Sequence, residues 1–119
     1  MNSATIGSQT EDIAAAYLQQ HSLAILQRNF RCKFGEIDII GQHDADLVFV
    51  EVRYRKHDAF GSAAESVTLN KQQKLIRSAE YYLQNNSHTT TMNCRFDVIA
   101  ISDLTKPTQI EWIKDAFNA

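Results

Sequence analysis

Apolar residues at helical spacing predict that the first secondary-structure element is a helix over residues 8–22. Ser8 and Glu11 have the spacing of a capping box, in which both side chains satisfy backbone N–H groups at the start of a helix. We therefore expect the helix to begin at Ser8. Its apolar stripe, which would face the core, consists of Ala14, Ala15 and Leu18.

A second helical pattern covers residues 68–84, with Thr68 in the N-cap position. Lys71, Lys74 and Arg77 recur on the side roughly opposite the apolar positions. Such a basic face could contact phosphate groups, although a charged helix face is more often simply solvated. The predicted buried face consists of Leu75, Ile76, Ala79 and Leu83.

Five further segments have the patterns of strands. Residues 23–32 and 35–42 alternate between apolar and polar positions, and residues 109–117 predict a final edge strand. Residues 46–55 and 94–102 are apolar runs, typical of strands that are buried on both faces. The order αβββαβ, followed by one more strand, predicts an α/β fold in which helices cover the faces of a sheet.

Charged residues at the second and third strands form a candidate site. Glu36 and Asp38 are two residues apart and share a face of their strand, as do Glu51 and Arg53 on the next strand. If these strands are neighbours in a hairpin, three carboxylates and one cation converge. The apolar residues of the second strand, Ile37 and Ile39, would face the other way.

Such a group has the composition of a phosphodiesterase site. Carboxylates bind Mg²⁺, which takes oxygen ligands and keeps several waters. The metal polarises the phosphoryl oxygen, and a nearby cation stabilises the charge that develops in the transition state. The alternative is a structural network in which Asp38 and Glu51 pair with neighbouring arginines, because charged residues are rarely buried unless they are paired.

Length and composition restrict the class of protein. The chain has 119 residues, of which 44% are hydrophobic and 22% charged, so we expect a single globular domain over residues 1–119. No apolar run approaches the roughly 20 residues that span a bilayer, and no secretory signal pattern opens the chain. We therefore expect a cytoplasmic protein without a membrane span. Cys32 and Cys94 lack the spacing of a zinc site.

The charges are unevenly distributed along the chain. The net charge is −2, which excludes an evidently basic nucleic-acid coat. Ten of the twelve Lys and Arg residues nevertheless lie between Arg28 and Arg95, together with eight acids. With the three candidate ligands neutralised by a cation, this part of the chain would be positive and would permit a polyanionic partner.

Several motifs carry a family resemblance. "FGEIDII" over residues 34–40, followed by "LVFVEVRYR" over residues 47–55, resembles the signature of the YraN-like family, an uncharacterised branch of the PD-(D/E)XK nuclease superfamily. "FGSAAESVTLNKQQKLIRSAEYYL" over residues 60–83 and "CRFDVIAI" over residues 94–101 resemble its remaining conserved blocks. The resemblance extends over nearly the whole chain.

The resemblance implies a restriction-endonuclease-like core, a mixed sheet flanked by helices with a site for Mg²⁺ or Mn²⁺ at its centre. Asp38 matches the motif aspartate, and Glu51 matches the acidic residue of the (D/E)XK element. Glu11 resembles the helix glutamate of the branch similar to archaeal Holliday-junction resolvases, and Glu36 is a further candidate ligand. The implied activity is hydrolysis of phosphodiester bonds, in DNA that is branched or otherwise structured.

Arg53 stands where the superfamily has a lysine. An arginine keeps its proton, because its pKa lies above about 12, so it cannot act as a base. It can still stabilise charge on a phosphate, and the predicted catalytic residues are Asp38, Glu51 and Arg53. A catalytically inactive nucleic-acid-binding module and a structural or interaction protein are the alternatives.

Other basic residues are candidates for contact with a nucleic-acid backbone. A single small domain that cuts both strands of a duplex would need to act as a homodimer. Asp97, which lies within an apolar strand, is predicted to form a buried salt bridge with an arginine. The predicted backbone contacts are Arg55, Lys56, Lys71, Lys74 and Arg77.

Overall fold

The computed structural model describes residues 3–55, 66–86, 92–103 and 109–118. Within these ranges the predicted order of elements is confirmed. No helix in the described ranges combines the length and the apolar character needed to cross a membrane. The elements are α1 (Ser3–Gln20), β1 (Leu23–Cys32), β2 (Gly35–His43), β3 (Asp46–Tyr54), α2 (Leu69–Gln84), β4 (Asn93–Asp103) and β5 (Gln109–Phe117).

The strands form one mixed sheet in the order β1-β2-β3-β4-β5. Strands β3 and β4 are parallel, whereas the other three neighbouring pairs are antiparallel. The parallel pair needs a crossover connection, and helix α2 lies within it. The predicted α/β class is therefore confirmed, and the arrangement is consistent with a restriction-endonuclease-like core.

The two helices cover opposite faces of the sheet. Leu75 and Ala79 of α2 belong to the same apolar cluster as Phe49, and Leu18 of α1 belongs to a second cluster with Val48. Because Val48 and Phe49 are consecutive residues of β3, the two clusters lie on opposite sides of that strand. Burial on both faces explains the uninterrupted apolar run of β3.

The predicted start of α1 is wrong. The helix begins at Ser3, so Ser8 and Glu11 lie within it and cannot form a capping box at its first turn. Residues 3–7 contain one strong helix-disfavouring residue, Gly7, and a single glycine costs only about 1 kcal/mol relative to alanine. For α2, in contrast, the predicted cap is confirmed, since the Thr68 hydroxyl accepts a hydrogen bond from the backbone N–H of Lys71 at 3.2 Å.

The simple alternation predicted for β2 is also wrong. Ile37 belongs to the cluster on the α2 side, whereas Ile39 belongs to the cluster on the α1 side. Asn29 of β1 lies between the two residues that pair with Ile37 and Ile39, and its φ is 54°. The backbone of β1 therefore leaves the extended conformation opposite Asp38, and the regular two-residue period does not hold there.

The predicted buried salt bridge of Asp97 is confirmed. Its carboxylate is fully buried and accepts hydrogen bonds from Arg95 at 3.0 Å, from the Trp112 indole at 2.8 Å and from the backbone N–H of Asp115 at 2.9 Å. Arg95 also donates to Asp46 at 3.1 Å. This network ties β4 to β5 and to the start of β3, and it compensates for the burial of a charge.

Candidate functional site

Strands β2 and β3 separate at one end of the sheet. Their pairing covers Ile39–His43 against Asp46–Val50 and ends there. Beyond that point residues 35–37 of β2 still pair with β1, and residues 51–54 of β3 pair with β4. We call the resulting gap, which is flanked by residues 35–38 and 51–54, the fork.

Asp38 is held across the fork by a hydrogen bond to β3. Its Oδ2 accepts from the backbone N–H of Val52 at 2.8 Å, at a position where β2 no longer supplies a backbone acceptor. Burial raises the pKa of Asp38, and the bond from Val52 and the charges of Lys71 and Arg53 offset part of this effect. The carboxylate is thus fixed in place while its charged form is disfavoured.

Glu51 is the buried carboxylate of the site, with 6% of the residue exposed. Its Oε1 lies 3.9 Å from Arg53 Nη1 and 3.9 Å from Lys71 Nζ. Burial and the negative charge of Asp38 raise the pKa of Glu51 to about 7, although the two cations act in the opposite direction. Such an environment favours either a proton or an added cation at Glu51.

Arg53 faces the segment that precedes α2. Its Nε and Nη2 donate to the side chain and the backbone carbonyl of Ser66, each at 3.3 Å. The guanidinium therefore lies beside Glu51 without a direct hydrogen bond to it, because 3.9 Å exceeds hydrogen-bond distance. The sequence prediction that Arg53 shares a face with Glu51 is consistent with this contact.

Lys71 is the residue whose position the basic-face pattern did not reveal. Grouping it with Lys74 and Arg77 suggested a solvated face, but its ammonium reaches Glu51. The sequence contained a signal for this position. Leu75 and Ser78, which are both buried, lie four and seven residues after Lys71 and therefore share its side of the helix. Lys71 therefore extends the buried face of α2 at its first turn.

Glu11 and Glu36 interact with the pair through their charges. Burial and then the charge of Asp38 raise the pKa of Glu11, and the charge of Glu36 contributes to the raised pKa of both Asp38 and Glu51. Glu36 is exposed and forms an ion pair with Arg31 at 3.2 Å. Within the described ranges, no three His, Cys, Asp or Glu side chains form a group close enough to hold a metal ion.

The central pair nevertheless has the chemistry of a divalent-cation site. Mg²⁺ commonly uses one or two protein carboxylates and completes its octahedron with water and substrate oxygens. Asp38 and Glu51 are oxygen donors whose charges oppose one another in a largely buried position. A bound cation would relieve that repulsion. The residues present therefore fit Mg²⁺ or Mn²⁺, for which Asp38 and Glu51 would be the ligands, while Glu11 and Glu36 would add negative charge.

The remaining predicted contacts have different positions. Arg55 follows β3, and its backbone N–H donates to the carbonyl of Ile101 at 2.9 Å. Lys74 and Arg77 are exposed on α2. Lys56 lies outside the described residues.

Glu51 should make the stability of the protein depend on pH. Its pKa is about 7 in the fold against 4.5 for an ordinary glutamate, so the unfolded chain loses this proton first and stability falls as the pH rises between those values. A pKa difference of one corresponds to about 1.4 kcal/mol. In EDTA, Glu51→Gln should therefore be more stable than the native protein above pH 7, by roughly 3 kcal/mol.

Urea unfolding at one pH below 4.5 and another above 7 measures this difference. The advantage of Glu51→Gln should be small at the acidic pH and fully developed at the alkaline pH. Glu111→Gln, which changes an exposed carboxyl on β5, is the matched control and should show no such trend. The same stability difference at both pH values would contradict the assignment.

Comparison with known sequences places the chain in a family. The model of the "Uncharacterised protein family UPF0102" matches residues 10–101. The chain is 50% identical over 112 residues to a UPF0102 protein of Nitrosomonas europaea, covering 94% of this chain and 92% of that relative. It is 51% identical over 112 residues to one of Saccharophagus degradans, with the same coverage of 94% and 92%. The chain therefore belongs to the UPF0102 family, the YraN-like family that its motifs resemble.

Proposed function

We propose that the protein is a divalent-metal-dependent endonuclease that hydrolyses phosphodiester bonds in DNA. The observation that carries the proposal is the buried Glu51 carboxylate, which lies beside Asp38 in the fork with two cationic side chains at 3.9 Å. A structural ion-pair network would bring its partners to hydrogen-bond distance, as Asp97 does with Arg95 at 3.0 Å. In the fork, the cationic groups of Arg53 and Lys71 instead remain 3.9 Å from the Glu51 carboxylate.

The acidic residues have the role of holding the cation. Asp38 and Glu51 would bind Mg²⁺ or Mn²⁺, and Glu11 and Glu36 would strengthen the negative potential around it. When bound, the cation supplies the charge that polarises a phosphoryl oxygen. The hydrogen bond from Val52 keeps Asp38 oriented towards the fork.

The two cations divide the role that the superfamily assigns to one lysine. Arg53 carries a permanent charge and is positioned by Ser66, so it would stabilise negative charge on the phosphate. Lys71, on α2, has its ammonium 3.9 Å from Glu51 Oε1, the same oxygen that Arg53 approaches. Its compact head and flexible stem suit a role in orienting the attacking water or the phosphate.

The resemblance to resolvase-like nucleases favours DNA with a branched or other special structure as substrate. A homodimer would be needed to cut both strands of a duplex. A cytoplasmic location agrees with such a substrate.

The second candidate function is a nucleic-acid-binding module without catalysis. Arg53 in the lysine position favours it, and the contacts of Arg53 and Lys71 to Glu51 could serve to balance the carboxylate charge without a metal. In this case Mg²⁺ leaves DNA affinity nearly unchanged, whereas added salt weakens it through counterion release. A purely structural or interaction role would leave no measurable binding at low salt.

A cleavage panel tests the proposed function. Labelled duplex, single-stranded, four-way-junction and RNA substrates are incubated with the native protein and with Glu51→Gln, in Mg²⁺, Mn²⁺ or EDTA. We expect cleavage that requires the metal and is lost in the folded Glu51→Gln protein, while Glu111→Gln keeps native activity. Cleavage that persists in Glu51→Gln would contradict the role of Glu51.

Lys71 should affect the chemical step more than binding. Lys71→Met removes the charge near Glu51 and should lower the single-turnover rate at saturating substrate by about 10²-fold, the typical effect of removing one charge-stabilising donor. The matched control is Lys114→Met, on the exposed face of β5. If the rate at saturating substrate is unchanged and the half-saturation concentration is higher, Lys71 acts only in binding.

A further inference from the structure

An open groove lies between the β1–β2 hairpin and helix α2. The hairpin has a two-residue loop, Lys33 and Phe34, between the paired residues Cys32 and Gly35. Gly35 has a φ of 150°, a conformation that few other residues adopt, and it turns the loop against α2. The groove has a volume of about 580 Å³, and its walls include Arg31, Lys33, Phe34, Glu36, Lys71 and Lys74.

A smaller hollow continues the groove along α2. It has a volume of about 310 Å³ and shares Lys33 and Phe34 with the groove, and its other walls include Arg77 and Tyr81. The combined path therefore runs beside α2 from its first turn to its last. Sites of roughly 300–1,000 Å³ hold small organic ligands, so this path has room for a few nucleotides.

The charge of the path favours an anion. Arg31, Lys33, Lys71 and Lys74 line the groove, and Arg77 lines the hollow. Against these five cations stand two acids: Glu36 lines the groove and is paired with Arg31 at 3.2 Å, and Glu80 lines the hollow. A positively charged groove is typical of proteins that follow the backbone of a single strand.

Two aromatic rings line the same path. Phe34 and Tyr81 are 6.3 Å apart with a tilted, edge-on arrangement, and the Lys33 ammonium lies 5.2 Å from the centre of the Phe34 ring. Tyr81 is 36% exposed, although it also packs against Phe30 at 6.3 Å. An exposed aromatic face beside a basic track provides a platform on which an unpaired base can stack.

The groove leads into the fork. Lys71 lines the groove and lies 3.9 Å from Glu51. Glu36 lines it as well, and its charge acts on both carboxylates of the fork. A strand that follows the groove would thus bring a phosphate to Asp38 and Glu51.

We propose that the groove binds an unpaired strand of nucleic acid and delivers it to the fork, which makes a single-stranded segment the substrate class of the endonuclease. The part of this inference that takes the bound strand to the fork for cleavage rests on the proposed function. A duplex keeps its bases stacked on one another, so it cannot use Phe34 and Tyr81 as partners, whereas a single strand or an unpaired arm can.

Binding in EDTA tests the groove separately from cleavage. Fluorescence anisotropy measures the affinity of a labelled oligothymidylate and of a duplex of equal length. We expect the single strand to bind more tightly. Lys74→Ala should weaken its binding several-fold and reduce the slope of log K against log salt by about 0.7, the value for one phosphate contact in a single strand.

The aromatic contact has its own pair of variants. Tyr81→Ala should weaken single-strand binding about tenfold, as expected for the loss of one stacked base, whereas Tyr81→Phe should retain native affinity. Lys114→Ala on β5 is the control for loss of a surface lysine. Unfolding curves establish that each variant is folded, and Lys74→Ala gives an independent result if Tyr81→Ala is not.

Two results would overturn the groove proposal: equal affinity for duplex and single strand, or no larger effect of Lys74→Ala and Tyr81→Ala than of Lys114→Ala. Single-strand binding with these effects but without any cleavage would support the groove and overturn the endonuclease. Metal-dependent cleavage of duplex at a native rate in both groove variants would support the endonuclease and overturn the groove.

Discussion

The site depends on the hydrogen bond from the Val52 backbone N–H to the Asp38 carboxylate, at 2.8 Å. Where β2 and β3 separate, a half-buried N–H group loses its partner in the sheet, and leaving such a group unpaired costs about 1–3 kcal/mol. A carboxylate side chain from β2 supplies the acceptor without closing the gap. The same bond places one acidic group beside Glu51, so the backbone geometry and the electrostatics of the fork have a common origin.

The consequence is a pair of carboxylates in surroundings that disfavour their charge. Burial raises the pKa of both residues, and the cations at 3.9 Å from Glu51 offset this rise only in part. A network selected for stability would resemble that of Asp97, whose carboxylate accepts direct hydrogen bonds from several donors. Within one small sheet, the Asp97 carboxylate has direct partners, whereas the charged forms of Asp38 and Glu51 are disfavoured, and this contrast supports the proposed metal site.

Local patterns predicted the elements well where one interaction decides them. The apolar run of β3 reflects burial on both faces, and the Thr68 side chain caps the N-terminus of α2. Properties that depend on neighbouring strands were not predictable in the same way. The change of face between Ile37 and Ile39 coincides with the positive φ of Asn29 on β1, which no period in β2 itself can indicate. The contact of Lys71 with Glu51 likewise requires the packing of α2 over the end of β3.

The most direct measurement is calorimetric titration of the metal-free protein with Mn²⁺, because the central claim is that Asp38 and Glu51 together hold a divalent cation. The native protein should bind one Mn²⁺ with release of protons, since burial keeps part of the Glu51 population protonated near pH 7. Asp38→Asn should lose this binding, whereas Glu111→Gln should retain it. Binding that is equally strong in Asp38→Asn, or no binding to the native protein, would contradict the assignment of the fork as a metal site.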